Sequence, residues 1–118
     1  MLIRSQNKTI IVNIDNAFSI AIRDINGAAS IYVGSQGGCC IIAEYSAKAK
    51  AMKVLDMIQE AYEDFEASKI TNTGLATAAY TGSYKTPDSV SVGIKVLKGY
   101  AEMVKECVVF QMPEDSEV

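Results

Sequence analysis

Asn26-Gly27, set between two runs of alternating apolar and polar residues, constrains this chain more than any other feature. Both residues tolerate the positive φ of a type I′ turn, whose twist matches that of the strands it joins. Before the turn, Phe18, Ile20 and Ile22 alternate with Ser19, Ala21 and Arg23, the period of two that marks a half-buried strand. After it, Ile31 and Val33 share one face of the return strand and Tyr32 takes the other. This hairpin commits residues 2–45 to an antiparallel sheet. Leu2–Ser5 and Thr9–Ile14 are short β-rich runs around the polar turn Gln6-Asn7-Lys8, and Gly37-Gly38 makes a further turn. Cys39–Tyr45 is almost continuously apolar, which predicts a central strand covered on both faces.

Helical spacing takes over after Ser46, whose hydroxyl is placed to cap the helix start. Over about 47–66, Ala51, Val54, Leu55, Ile58, Ala61, Tyr62 and Phe65 fall on one stripe. Lys48, Lys50 and Lys53 come early in this helix and Glu60, Glu63, Asp64 and Glu66 late, against the order that the helix dipole favours. The lysine end is therefore expected either to tolerate the mismatch through packing or to face an acidic partner. Residues 67–88 are rich in Ala, Ser, Thr, Gly and Tyr and read as a long loop, flexible or ligand-binding. Pro87-Asp88-Ser89 offers a second helix start, with Ile94, Leu97, Tyr100, Ala101 and Val104 at helical spacing. Cys107–Met112 is a last strand before Pro113, and 114–118 an acidic tail. The expectation is one α+β domain over 1–118, an antiparallel sheet of about five strands with two helices, the longer one packed on the sheet.

Composition narrows the chemistry. A chain of 118 residues, 49% hydrophobic and 21% charged, supports one ordinary core. Its net charge is −3, and Arg4 and Arg23 are its only arginines, so it lacks the broad basic surface that duplex nucleic acid requires. There is no histidine, which removes Ser-His-Asp and Cys-His arrangements and the commonest general base. No enzyme activity and no cofactor are expected. Cys39, Cys40 and Cys107 are odd in number, and neighbours along a strand point to opposite faces, so they make neither a disulfide framework nor a thiolate clamp. They read as small buried hydrophobes. Asp15 with Asp24, and Glu63, Asp64 and Glu66, are read as solvated acids, with no metal site. Gly34-Ser35-Gln36-Gly37-Gly38 links two strands and opens no helix, so it is a hairpin loop and no phosphate cradle. Arg4, Gln6, Asn7 and Lys8 interrupt any opening apolar run, and no stretch approaches the ~20 apolar residues of a membrane span. A cytoplasmic protein without membrane contact is expected.

One segment brings binding chemistry together. Tyr80, Thr81, Ser83, Tyr84 and Lys85 stand within a short stretch around Gly82. Aromatic rings stack on nucleobases, while hydroxyls, backbone N–H groups and a lysine satisfy phosphate oxygens. The plainer reading is a surface loop with its tyrosines folded onto the core. Arg4 poses a similar choice, between a fork for phosphate and a structural ion pair. The apolar Cys39–Tyr45 and Cys107–Met112 runs, with Gly93 and Gly99 allowing close approach, predict a homo-oligomer.

Three separated segments carry a resemblance: Ile3-Arg4-Ser5-Gln6, Lys53-Val54-Leu55-Asp56-Met57-Ile58-Gln59, and Val109-Phe110-Gln111-Met112-Pro113-Glu114-Asp115. Together they resemble small phage, prophage and mobile-element proteins of Gram-positive bacteria. In size and in its sheet-then-helix order, with a Tyr/Ser/Thr-rich segment, the chain is also similar to the Thoeris anti-defence sponges. That resemblance implies an oligomer in the host bacterial cytoplasm that sequesters a cyclic ADP-ribose type signal without cleaving it. The alternatives are an inhibitor of a host defence protein such as a CRISPR effector, or a phage structural or assembly protein.

Overall fold

The computed structural model of the chain describes residues 1–80, 95, 98, 99, 101, 102 and 108–118, with 71–73 and 75–80 described by backbone alone. Six strands and one long helix are delineated: β1 (Leu2–Arg4), β2 (Ile11–Asn13), β3 (Ser19–Ile25), β4 (Ala28–Ser35), β5 (Gly38–Tyr45), α1 (Lys48–Tyr80) and β6 (Val109–Gln111). Short 3-10 turns follow β2 at Ile14–Asn16 and β6 at Asp115–Glu117. The strands form two three-stranded sheets, ordered β2-β1-β6 and β3-β4-β5. The protein is thus α+β, but the single antiparallel sheet of about five strands is corrected to two sheets. One pairing, β6 on β1, is parallel. A strand that returns after a long connection is free to pair in either direction, and its own residues do not record which.

Chain is gathered into two compact units, Met1–Ala61 with Val109–Val118, and Tyr62–Val108. In the first unit the predicted hairpin forms as the turn chemistry requires. Asn26 and Gly27 have φ of 52° and 85°, and Ile20 pairs with Val33 and Ile22 with Ile31. On β4 the alternation is strict, with Ala29, Ile31 and Val33 buried.

β5 departs from expectation. It lies at the end of its sheet and not at its centre. Its apolar run instead contains a register shift: Ile31 pairs with Ala43 and Tyr32 with Ile41, leaving Ile42 as an extra residue. A bulge of this kind moves the inward face by one position. Ile42 and Ala43 are consequently both buried, whereas Ile41 and Glu44 are exposed.

Gln6 closes the outer side of β5. Its backbone N–H donates to the Ile42 carbonyl at 2.9 Å, and its side-chain carbonyl accepts from Glu44 N–H at 3.1 Å. Its amide Nε2 donates to the Pro113 carbonyl at 3.2 Å. One residue therefore ties β1, β5 and the segment after β6 together.

The helix also differs from its predicted bounds, running to Tyr80 and not ending near 66. Ala67–Tyr80 contains several alanines and no proline, and single Ser, Thr or Gly residues each disfavour a helix by only about 1 kcal/mol or less. In its first half Ala51, Val54 and Ile58 are buried as the stripe predicts. Ser46 does not cap it. The first helix carbonyl to accept is that of Ala47, and the Ser46 N–H and hydroxyl both donate to Asp115 Oδ1, at 2.8 and 3.0 Å. The second expected helix, from Pro87, falls mostly outside the described residues. Lys95, Lys98, Gly99, Ala101 and Glu102 have helical backbone.

Replacing Gln6 with Ala removes two side-chain bonds at the joint of the sheets. Chemical denaturation is expected to show a loss of about 1–2 kcal/mol, with a correspondingly lower midpoint. A midpoint equal to that of the parent would show that the joint is held by backbone pairing alone.

Candidate functional site

Two of the three segments quoted above, residues 3–6 and 109–115, meet in a structural junction. Ser5, 1% exposed, donates its hydroxyl to Asn7 Oδ1 at 2.8 Å and accepts from Ile10 N–H at 3.0 Å, which shapes the β1–β2 turn. Gln111 Nε2 donates to the Ser5 carbonyl at 3.1 Å. The Pro113 carbonyl receives both Gln6 Nε2 and the Tyr45 hydroxyl, the latter at 2.9 Å. Lys50 Nζ reaches the Asp115 carbonyl at 2.7 Å and its carboxylate at 3.3 Å. An acid therefore does stand at the lysine-rich start of α1, and it comes from the chain's own last residues.

Arg4 belongs to this framework as well. Its exposed guanidinium donates to the Lys8 carbonyl at 3.3–3.4 Å, where Lys8 takes a φ of 63°. Among the described residues it thus makes neither a carboxylate pair nor an isolated fork. Of the other sequence-predicted ligand residues, Tyr80 is the last residue of α1, in the second unit. Thr81, Ser83, Tyr84 and Lys85 lie outside the described residues.

What the sequence did not disclose is a cleft in the first unit. Ile10, Ile11, Val12 and Asn13 form one wall, Asn16 and Ala17 one end, and Val33, Ser35 and Cys40 the other wall, enclosing about 290 Å3. A second depression of about 450 Å3 continues past Asn16, Ala17 and Ser35 to Asp15, Phe18, Gln36 and Gly37. Val33 is buried, whereas Ile11 and Phe18 on the rim are 58% and 72% exposed. Asp15 is the one ionisable carboxylate among the lining residues, lying 3.6 Å from the Met1 ammonium, and no described Lys or Arg lines either depression. The surroundings therefore favour apolar and neutral or cationic groups over phosphate. Three consecutive β-branched residues, Ile10-Ile11-Val12, are the signal in the sequence, since a strand with one covered face hides only alternate members.

Cys39 is exposed and Cys40 half-buried, both as free thiols. The expectation of buried cysteines is corrected at Cys39, which is exposed at the start of β5; Cys107 lies outside the described residues. Among the described residues no cluster of three or more Cys, Asp or Glu side chains is arranged to hold a metal ion. No described helix is long and apolar enough to cross a membrane. No protein-family model, curated protein or solved structure matches the chain.

Two ionisable groups of the junction report on it. The Ser46 backbone N–H, with further help from the Ser46 hydroxyl and Lys50, holds the Asp115 carboxyl below its usual value of 3.8. Its contribution to stability is complete above that value and is lost as the pH falls through the lower folded-state value. Burial, reinforced by Glu114, Asp115 and Glu117, pushes the Tyr45 hydroxyl from 10.0 up to about 12. Here stability is complete below 10.0 and is lost as the pH rises towards 12.

Asp115→Asn is accordingly expected to flatten the melting temperature against pH as the pH falls below 3.8. Tyr45→Phe should remove part of the alkaline loss between pH 10 and 12. Profiles parallel to that of the parent in those windows would show that neither group is coupled to folding.

Proposed function

We propose that the protein is an anti-defence binder of the phage and mobile-element group. It takes up a host immune signal of the cyclic nucleotide type, in the cyclic ADP-ribose class, and holds it without turning it over. The observation that carries this reading is the joint between the segments on which the resemblance rests. Gln6 meets Pro113, Gln111 meets Ser5, and Val54 and Ile58 of the middle segment are buried in the same unit. A three-part pattern that specifies one framework supports grouping the chain with proteins that carry the same pattern. Sequestration needs a framework and a recognition surface, and no general base.

The ligand-contacting groups in this proposal are Tyr80, Thr81, Ser83, Tyr84 and Lys85, with Arg4 as a further anion-binding group. The working form is a homo-oligomer in the host bacterial cytoplasm. A second reading, capture of a host defence protein, is favoured by the exposed apolar rim of the cleft at Ile11 and Phe18.

Protein incubated with cyclic ADP-ribose isomers and then heated is expected to release the intact compound, detected by mass spectrometry. A stacked base contributes roughly 1–3 kcal/mol, so Tyr84→Ala should weaken binding in isothermal titration by about ten-fold or more. Lys85→Ala should cost a similar amount, and more at low salt. Release of a cleaved product, or no bound compound at all, would overturn the reading. Unchanged affinity in both variants would clear this segment alone.

A further inference from the structure

Among the described residues, the outer edge of β2 pairs with no further strand where it borders the cleft. Ile14 N–H donates to the Met1 carbonyl and Ser5 N–H to the Ile10 carbonyl, while Ile3 stands opposite Val12. In an antiparallel ladder the bonded pairs alternate, so Ile10, Val12 and Ile14 turn their backbone groups towards β1. Ile11 and Asn13 therefore turn theirs away from it. The Asn13 carbonyl opens the following 3-10 turn, which leaves the Ile11 N–H and carbonyl and the Asn13 N–H without a hydrogen-bond partner among the described residues. These groups are spaced as one strand presents itself to another. Beside them lies the 290 Å3 cleft, walled by Val33, Ala17 and Cys40, with Asp15 in the adjoining depression.

We infer that β2 is a docking edge for an extended peptide of a partner protein, which adds to the β2-β1-β6 sheet as a fourth strand. Ile11 exchanges both backbone bonds with the peptide, and Asn13 donates a third. Alternate side chains of the peptide enter the cleft against Val33 and Ala17, so these are small or medium apolar residues. Asp15 is the only charged side chain lining the two depressions among the described residues, and its half-exposed carboxylate, 3.6 Å from the Met1 ammonium, is shared with a Lys or Arg at the end of the peptide nearest the 3-10 turn. Backbone pairing supplies affinity and the cleft supplies choice. Because the lining residues offer no cation, this site is separate from the nucleotide reading and stands or falls without it.

The probe is a library of random twelve-residue peptides displayed on phage and selected on the full chain. Enriched peptides are expected to alternate apolar and polar residues with a basic residue at one end. Ile11→Pro removes an outward N–H, which an edge strand tolerates, together with the Ile11 side chain on the cleft wall, and should weaken binding of these peptides by at least ten-fold, more than Ile11→Ala does. Single N-methylation along the best peptide, measured against the unaltered protein, should lower affinity with a period of two residues. This second measurement decides the matter even if Ile11→Pro does not fold. Failure to enrich any peptide would overturn the proposal, as would equal binding to a folded Ile11→Pro or a methylation profile without the two-residue period. A parent dimer that Ile11→Pro converts to monomer would assign the edge to a second copy of the chain and overturn it as well.

Discussion

The framework depends on Gln6 because it sits where two sheets would otherwise end in unpaired backbone. A sheet edge leaves donors and acceptors that must be paired or left to water. β5 ends its sheet, and the Gln6 N–H meets the Ile42 carbonyl at the bulge. The Gln6 carboxamide then satisfies Glu44 N–H and the Pro113 carbonyl. Irregularity in β5 and continuation of the chain beyond β1 are two halves of one device. The Asp115 contacts extend it to the start of α1, so sheet, helix and closing segment share one connected set of bonds.

The sequence was most legible where local chemistry decides the outcome. Asn26-Gly27 dictates its turn without outside help, and the strict alternation of Ala29, Ile31 and Val33 follows from burial of one face of β4 and not the other. It was misleading where one pattern has two causes. An unbroken apolar run such as Cys39–Tyr45 arises from a strand covered on both faces, or from an edge strand whose inward face slips by a residue. Nothing within the run distinguishes them. The far end of α1 was hidden for a similar reason, because the small and hydroxylated residues of 67–80 serve helices and loops alike. The direction of β6 and the destination of Asp115 are long-range facts, set by residues far away in sequence.

The candidate surfaces show the same division. Arg4 could be named from its residue type, but its partner, the Lys8 carbonyl, exists only once the β1–β2 turn places it there. The cleft is less visible still, since it is assembled from β2, the turn at Ile14–Asn16, β4 and β5. None of its lining residues is unusual alone. Its character comes from an edge without a neighbouring strand meeting an apolar wall, and a linear pattern does not encode which strand is left at an edge.

Because β6 lies beside β1, the first unit is discontinuous: the chain leaves it at Ala61 and returns at Val109. Everything between is, for that unit, a loop whose ends are fixed. The entropy of closing a flexible loop grows only logarithmically, by about 0.6 kcal/mol for each doubling of its length. That scaling holds for the flexible part of the passage and not for its stiff helical start at residues 62–80. A change of length within a flexible part would cost the paired strands on either side little.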